Sequence, residues 1–107
     1  MSEKFRRESR YATRSITEEV PVQLQCFLWQ SIDEWKNETT ELDYLQVFKF
    51  EKLTDGLYVI RHSQENPNRE TVYYQADGEL GIEKVTGKTI FVIDDETHST
   101  MLFASEY

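Results

Sequence analysis

One helical stripe constrains this chain more than any other feature. From Pro21 to about Asn37 no residue breaks a helix, and Leu24, Phe27, Leu28, Ser31, Ile32 and Trp35 recur at spacings of three and four. At 3.6 residues per turn these positions share one face, which predicts an amphipathic helix lying across a sheet. Ser15 or Thr17 is expected to accept hydrogen bonds near its start, and Glu18 and Glu19 suit its positive end. Pro21 fits the first turn, where a missing N–H costs nothing. Asn37 is the expected terminator, followed by a polar loop over Glu38–Glu41.

The remainder reads as strands. A short one is expected over Tyr11–Ile16, rich in β-formers. In Leu42–Leu53, Tyr44, Gln46, Phe48 and Phe50 alternate with Leu45, Val47 and Lys49. Asp55-Gly56 then predicts a hairpin, because glycine tolerates positive φ, with Leu57–His62 as the return strand. Gln64–Arg69 reads as a loop, Thr71–Gln75 as a strand and Asp77-Gly78 as a turn. Leu80–Gly87 is ambiguous, since Gly81 and Gly87 weaken any strand there. Lys88–Ile93 and Ser99–Ala104 form the last hairpin. The expected fold class is α+β: one long helix on a mainly antiparallel sheet, open or curled toward a half-barrel, in the order β-α-β-β-β-β-β. Residues 1–9 are polar and charged and read as a flexible tail that Phe5 could anchor; residues 10–107 are the domain.

The helix carries a second feature. Val22, Cys26 and Trp29 fall together, well off the Leu24–Leu28–Trp35 stripe, with Asp33 beyond them on the same side. A helix covering a sheet needs one apolar stripe. Either the N-terminal tail or a curled sheet covers the second, or Val22, Cys26 and Trp29 form a contact surface. Cys26 reads as a small apolar residue, because Glu18 and Glu19 ahead of the helix work against a thiolate.

Charge narrows the partners. The 107 residues carry a net charge of -8. That disfavours nonspecific nucleic-acid binding, which needs clustered Lys and Arg, and an anionic membrane surface, so neither is expected as a direct partner. A second copy or a basic protein remains as partner. The one cysteine cannot form an intrachain disulfide, no apolar run approaches membrane-spanning length and no signal peptide is apparent, so a cytoplasmic location is expected.

The densest group of functional side chains is Asp94-Asp95-Glu96-Thr97-His98. Converging carboxylates suit a hard cation, and His98 beside Asp94 or Asp95 suits a transition metal or acid–base work. Aspartates also cap backbone N–H groups in ordinary turns, and that plainer use is expected here. His62 is the other histidine, and nothing in sequence places it nearby. With no phosphate-cradling glycine loop, Cys-X-X-Cys or paired-His spacing, no cofactor is expected. The aromatic strand residues come with net acidity, so cross-strand packing is their expected use rather than base stacking.

Three stretches, Arg10–Glu34 (RYATRSITEEVPVQLQCFLWQSIDE), Leu42–Phe50 (LDYLQVFKF) and Ile90–Tyr107 (IFVIDDETHSTMLFASEY), resemble a family from Gram-positive bacteria catalogued as domain of unknown function 960. The likeness spans about half the chain and leaves out Glu51–Thr89. It implies a bacterial, intracellular, single-domain protein and brings no functional residues with it. The leading functional expectation is a non-catalytic protein-interaction domain with an acidic surface; the alternative is a metal-dependent or acid–base enzyme centred on Asp94, Asp95 and His98.

Overall fold

The computed structural model describes residues 4–38, 41–76 and 78–107. The expected long helix is α2, Val22–Glu38, and its buried residues are Leu24, Leu28, Ser31, Ile32 and Trp35. Pro21 stands just ahead of it, and its carbonyl accepts the N–H groups of Leu24 and Gln25. Phe27, the remaining member of the predicted stripe, is half-buried against Tyr73.

The expected strand over Tyr11–Ile16 is corrected. Strand β1 covers Arg10–Ala12 only, and Arg14–Glu19 is a helix, α1. Local capping decides this against β-propensity. The Thr13 hydroxyl accepts the Ile16 N–H at 3.3 Å, and the Thr13 carbonyl accepts the Thr17 N–H at 3.0 Å. The chain therefore turns helical before Ile16 can extend. Thr13, not Ser15 or Thr17, is the cap, and Glu18 and Glu19 belong to the end of α1 rather than the start of α2.

The other strands are β2 (Leu45–Thr54), β3 (Leu57–Glu65), β4 (Asn68–Ala76), β5 (Thr89–Asp94) and β6 (Ser99–Phe103). They form one six-stranded sheet in the order β1-β6-β5-β2-β3-β4. Among the described residues only β1 and β6 pair in parallel; all other neighbours are antiparallel, and the sheet does not close. The α+β class and helix-on-sheet layout thus hold, with α1 as an added element. Gly56 supplies φ +80° in the predicted β2–β3 hairpin.

Gln64–Arg69 is a tighter connection than expected. β3 and β4 stay paired as far as Glu65 and Asn68, leaving Asn66-Pro67, a cis peptide, as the turn. The Gln64 side chain holds that end, donating to the carbonyls of Pro67 and Glu41 and accepting the Asp43 N–H. Residues 39 and 40 of the expected loop, and Asp77 of the expected turn, lie outside the described residues.

The core lies between α2 and one face of the sheet. Phe48, Phe50, Ile60, Ile90, Val92, Met101 and Phe103 meet Ile16, Leu24, Leu28, Ile32 and Trp35 there. The ambiguous stretch Leu80–Gly87 is not a strand. It contains a 3-10 turn at Ile82–Lys84 and sends Ile82 and Val85 into the core. Gly81 makes this possible: its φ is +71°, and a Cβ there would meet Pro21 Cγ at 2.7 Å. Gly56 has φ +80° with open space around it. Gly56→Ala is therefore expected to cost about 1 kcal/mol for backbone conformation alone, and Gly81→Ala about 2–4 kcal/mol from strain plus overpacking. Equal losses in urea titrations would show that the approach to Pro21 does not matter.

Candidate functional site

Side chains on alternate strand positions face alternate sides. On the helix side the pattern admits four polar exceptions from β2, β3 and α2: Gln46, Gln64, His62 and Ser31, all buried. They form one hydrogen-bonded chain. Gln64 Oε1 accepts from Gln46 Nε2 at 2.8 Å, Gln46 Oε1 meets His62 Nε2 at 2.7 Å, and His62 Nδ1 meets Ser31 Oγ at 2.7 Å. Ser31 Oγ then meets Tyr73 Oη at 2.7 Å.

The chain has one consistent proton order. Both Gln46 Nε2 protons are used, on Gln64 Oε1 and the Asp43 carbonyl, so Gln46 Oε1 is the acceptor for His62. His62 therefore carries its proton on Nε2 and accepts the Ser31 hydroxyl at Nδ1, while Tyr73 donates to Ser31. The imidazole is also sandwiched between two rings, Trp35 at 3.7 Å and Phe48 at 4.4 Å. Burial, with a smaller contribution from the Arg69 charge, pulls its pKa down to about 3. Burial likewise raises the Tyr73 hydroxyl above its ordinary value, which keeps it a donor.

A serine 2.7 Å from an imidazole has the outline of an activated nucleophile. Its environment opposes that use. Ser31 is 1% exposed. The imidazole is too weak a base to hold a proton near neutrality. Its other nitrogen faces a neutral amide, so no carboxylate stands there to stabilise an imidazolium.

The Asp94–His98 loop is organised by its own backbone. Asp95 Oδ1 accepts the N–H groups of Thr97 (3.0 Å) and His98 (2.9 Å) and the Thr97 hydroxyl (2.8 Å). The His98 N–H and the two Thr97 donors bring its carboxyl down to about 2. Asp94 Oδ1 accepts the Phe5 N–H at 3.1 Å and Oδ2 the Glu96 N–H at 3.2 Å. Among the described residues, Phe5 and Glu96 are the non-glycine ones with positive φ, 57° and 81°. One carboxylate thus holds two strained backbone positions. His98 lies 3.4 Å from Asp95 and packs edge-on against Tyr11. Among the described residues no group of three or more His, Cys, Asp or Glu side chains is arranged to hold a metal ion.

The second face of α2 receives the N-terminal segment. Phe5 is fully buried. Its carbonyl accepts from Arg10 Nη2 at 2.8 Å and Nε at 3.2 Å. Arg10 also forks onto both Asp33 oxygens and lies over the Trp29 ring, 4.7 Å from its centroid. Of the three expected contact residues, Trp29 is thus half-buried beneath Arg10, while Val22 (70% exposed) and Cys26 face solvent. Sequence reasoning had Asp33 on the correct side of the helix but missed Arg10, whose role needs the strand and helix brought together.

The other face of the sheet carries no α-helix among the described residues; the C-terminal 3-10 turn Ala104–Glu106 leads Tyr107 onto Phe91 there. The strand registers align Leu102, Phe91, Val47 and Ser63 in one row and Thr100, Ile93 and Leu45 in the next. Farther across lie Lys49, Arg61 and Glu51. Leu45, Val47, Phe91, Ile93 and Leu102 are half-buried, and Tyr107 packs edge-on against Phe91. Beyond the strands, Ser15, Glu19, Lys88, Phe103 and Glu106 help line a cavity of about 440 Å³. Its charges are largely engaged: Lys88 pairs with Glu19, and Glu106 accepts from Thr13 and the Phe103 N–H.

These features define a small α+β domain with a structural polar core. The family model described as "Staphylococcal protein of unknown function (DUF960)" matches residues 9–106, and the chain belongs to that family. A solved crystal structure of a protein of unknown function from Enterococcus faecalis is similar over 100% of this chain and 98% of its own, with 26% identity and a TM-score of 0.80. No curated protein matches. No helix among the described residues is long and apolar enough to cross a membrane.

Proposed function

We propose that this is a non-catalytic, cytoplasmic protein-interaction domain. The observation that carries the reading is the sheet face without an α-helix. An exposed face of an antiparallel sheet normally reads polar. Here one end is polar, at Lys49, Glu51 and Arg61, and the other is an apolar block of Leu45, Val47, Phe91, Ile93 and Leu102. These five side chains are half-buried, and a contiguous, partly open apolar surface rimmed by polar residues marks contact sites. The inaccessible Ser31–His62 pair, and the aspartate oxygens already given to backbone donors, support binding over catalysis. The net charge of -8 supports a protein partner rather than nucleic acid or an anionic membrane.

Cross-linking in a Gram-positive host, followed by recovery of the domain and sedimentation of the purified protein, tests this. Phe91→Lys is expected to abolish partner recovery or self-association while leaving thermal unfolding cooperative. Trp29→Ala examines the Val22–Cys26–Trp29 side of α2 in the same assay. An association that survives both changes undiminished would refute these surfaces, and the absence of any association would refute the interaction role.

A further inference from the structure

We infer that the β4 edge is a docking groove for an extended, lysine-bearing segment of a partner protein, which adds to the sheet as a seventh strand. The inference rests on the interaction reading above and goes further by naming a second surface and its occupant. β4 is the last strand of the sheet and pairs with β3 alone. Among the described residues no strand meets its other side. An unpaired strand of this length is a template for strand addition.

Helix α2 runs beside this strand and turns its edge into a groove. Phe27 packs edge-on against Tyr73 at 5.0 Å, Trp35 Nε1 donates to Thr71 Oγ1 at 3.1 Å, and Glu38 pairs with Arg69. Phe27, Gln30, Ser31, Glu34 and Tyr73 line a cavity of about 110 Å³ there. Glu34 has no cationic partner among the described residues; its carboxylate stands 3.3 Å from the Tyr73 hydroxyl. Aromatic walls with an unpaired carboxylate between them suit a lysine. Its methylenes cover the Phe27 and Tyr73 rings, and its ammonium reaches Glu34. On the opposite side of the same edge Tyr74 is 65% exposed. Side chains alternate along a strand, so the residues flanking the lysine would be apolar and pack beside Tyr74.

Charge selects the occupant. A second copy pairing β4 with β4 would offer no lysine, since the strand reads NRETVYYQA and its Arg69 is already bound to Glu38 and stacked on Trp35. Two chains of charge -8 also repel each other. A basic partner is attracted.

The test is selection from a displayed library of random heptapeptides on the wild-type domain, with amide NMR mapping of the winners. Enriched peptides are expected to carry lysine at one fixed position between apolar residues and to shift the amides of Asn68–Ala76. Glu34→Gln, an exposed and structurally mild change, is expected to weaken them about ten-fold or more, the scale of one charge-assisted hydrogen bond. Phe27→Ala should weaken them as well. The groove assignment is overturned by no enrichment, by winners lacking lysine, by shifts elsewhere, by affinity indifferent to Glu34→Gln, or by concentration-dependent dimers mapping to β4. If host-partner recovery is lost in Phe91→Lys but unchanged in Glu34→Gln, this inference fails while the interaction reading stands.

Discussion

Trp35→Ala is expected to remove about 3–5 kcal/mol of stability, the range for truncating a fully buried aromatic side chain. Trp35 is 1% exposed and sits where α2, β3 and β4 meet. Three separate contacts go with it. The ring stacks on His62 at 3.7 Å, its Nε1 donates to Thr71 at 3.1 Å, and Arg69 lies over the ring, 4.4 Å from its centroid. The cavity left behind would face a polar imidazole, so collapse around it is opposed by the hydrogen bonds that fix His62 on both nitrogens. Against a typical total of about 5–15 kcal/mol for a domain, this is a large fraction. In urea the midpoint should fall with the slope unchanged, and the thermal midpoint should drop by about 15 °C or more. Trp29→Ala is the internal comparison. Trp29 is half-buried and loses mainly its Arg10 contact, so about 1–2 kcal/mol is expected. Equal losses at the two tryptophans would contradict the assignment of Trp35 to the core.

The contrast between these tryptophans marks what a sequence can carry. The Leu24–Trp35 stripe was legible because helical period is a local property, and the hairpins because Asp55-Gly56 and the final pair of apolar runs are local as well. Tyr11–Ile16 misled because β-propensity and capping compete over the same few residues, and the Thr13 cap won. The polar core left a visible trace. Gln46 falls in the apolar phase of Phe48 and Phe50, and Ser31 in the apolar stripe of α2. Polar residues in apolar phase imply buried partners. What sequence could not supply was which partner, since His62 lies 31 residues from Ser31 and 16 from Gln46. Arg10 over Trp29, and the β4 groove, were hidden for the same reason: each depends on how a strand and a helix are set against one another.

His62 should make the domain acid-sensitive in a window that can be isolated. Its pKa is about 3 in the folded chain and near 6.5 when unfolded. Between those values the unfolded state binds the extra proton, so stability is full above about pH 6.5 and falls as the pH drops. The slope is about 1.4 kcal/mol per pH unit, giving a loss of about 2–3 kcal/mol between pH 6.5 and 4.5. Asp95, brought down to about 2, acts in the same direction but only below the ordinary carboxylate range, so measurements above pH 4.5 separate the two. His62→Gln keeps a donor and an acceptor but no titrating group. It is expected to be less stable than wild type at pH 7, because an amide cannot fill the ring stack between Trp35 and Phe48. Its deficit should shrink by about 2–3 kcal/mol on acidification to pH 4.5, since only the wild type carries the imidazole's proton linkage. Parallel stability profiles for the two proteins would mean that His62 is solvated, and would break the proton order assigned to the whole Gln64–Gln46–His62–Ser31–Tyr73 chain. Protonating Nδ1 removes the acceptor for the Ser31 hydroxyl, which must then turn toward Tyr73 and send the Tyr73 proton to Glu34. The cost of acid is therefore shared by β2, β3, β4 and α2 together, and unfolding should remain a single cooperative step rather than a local opening at one strand.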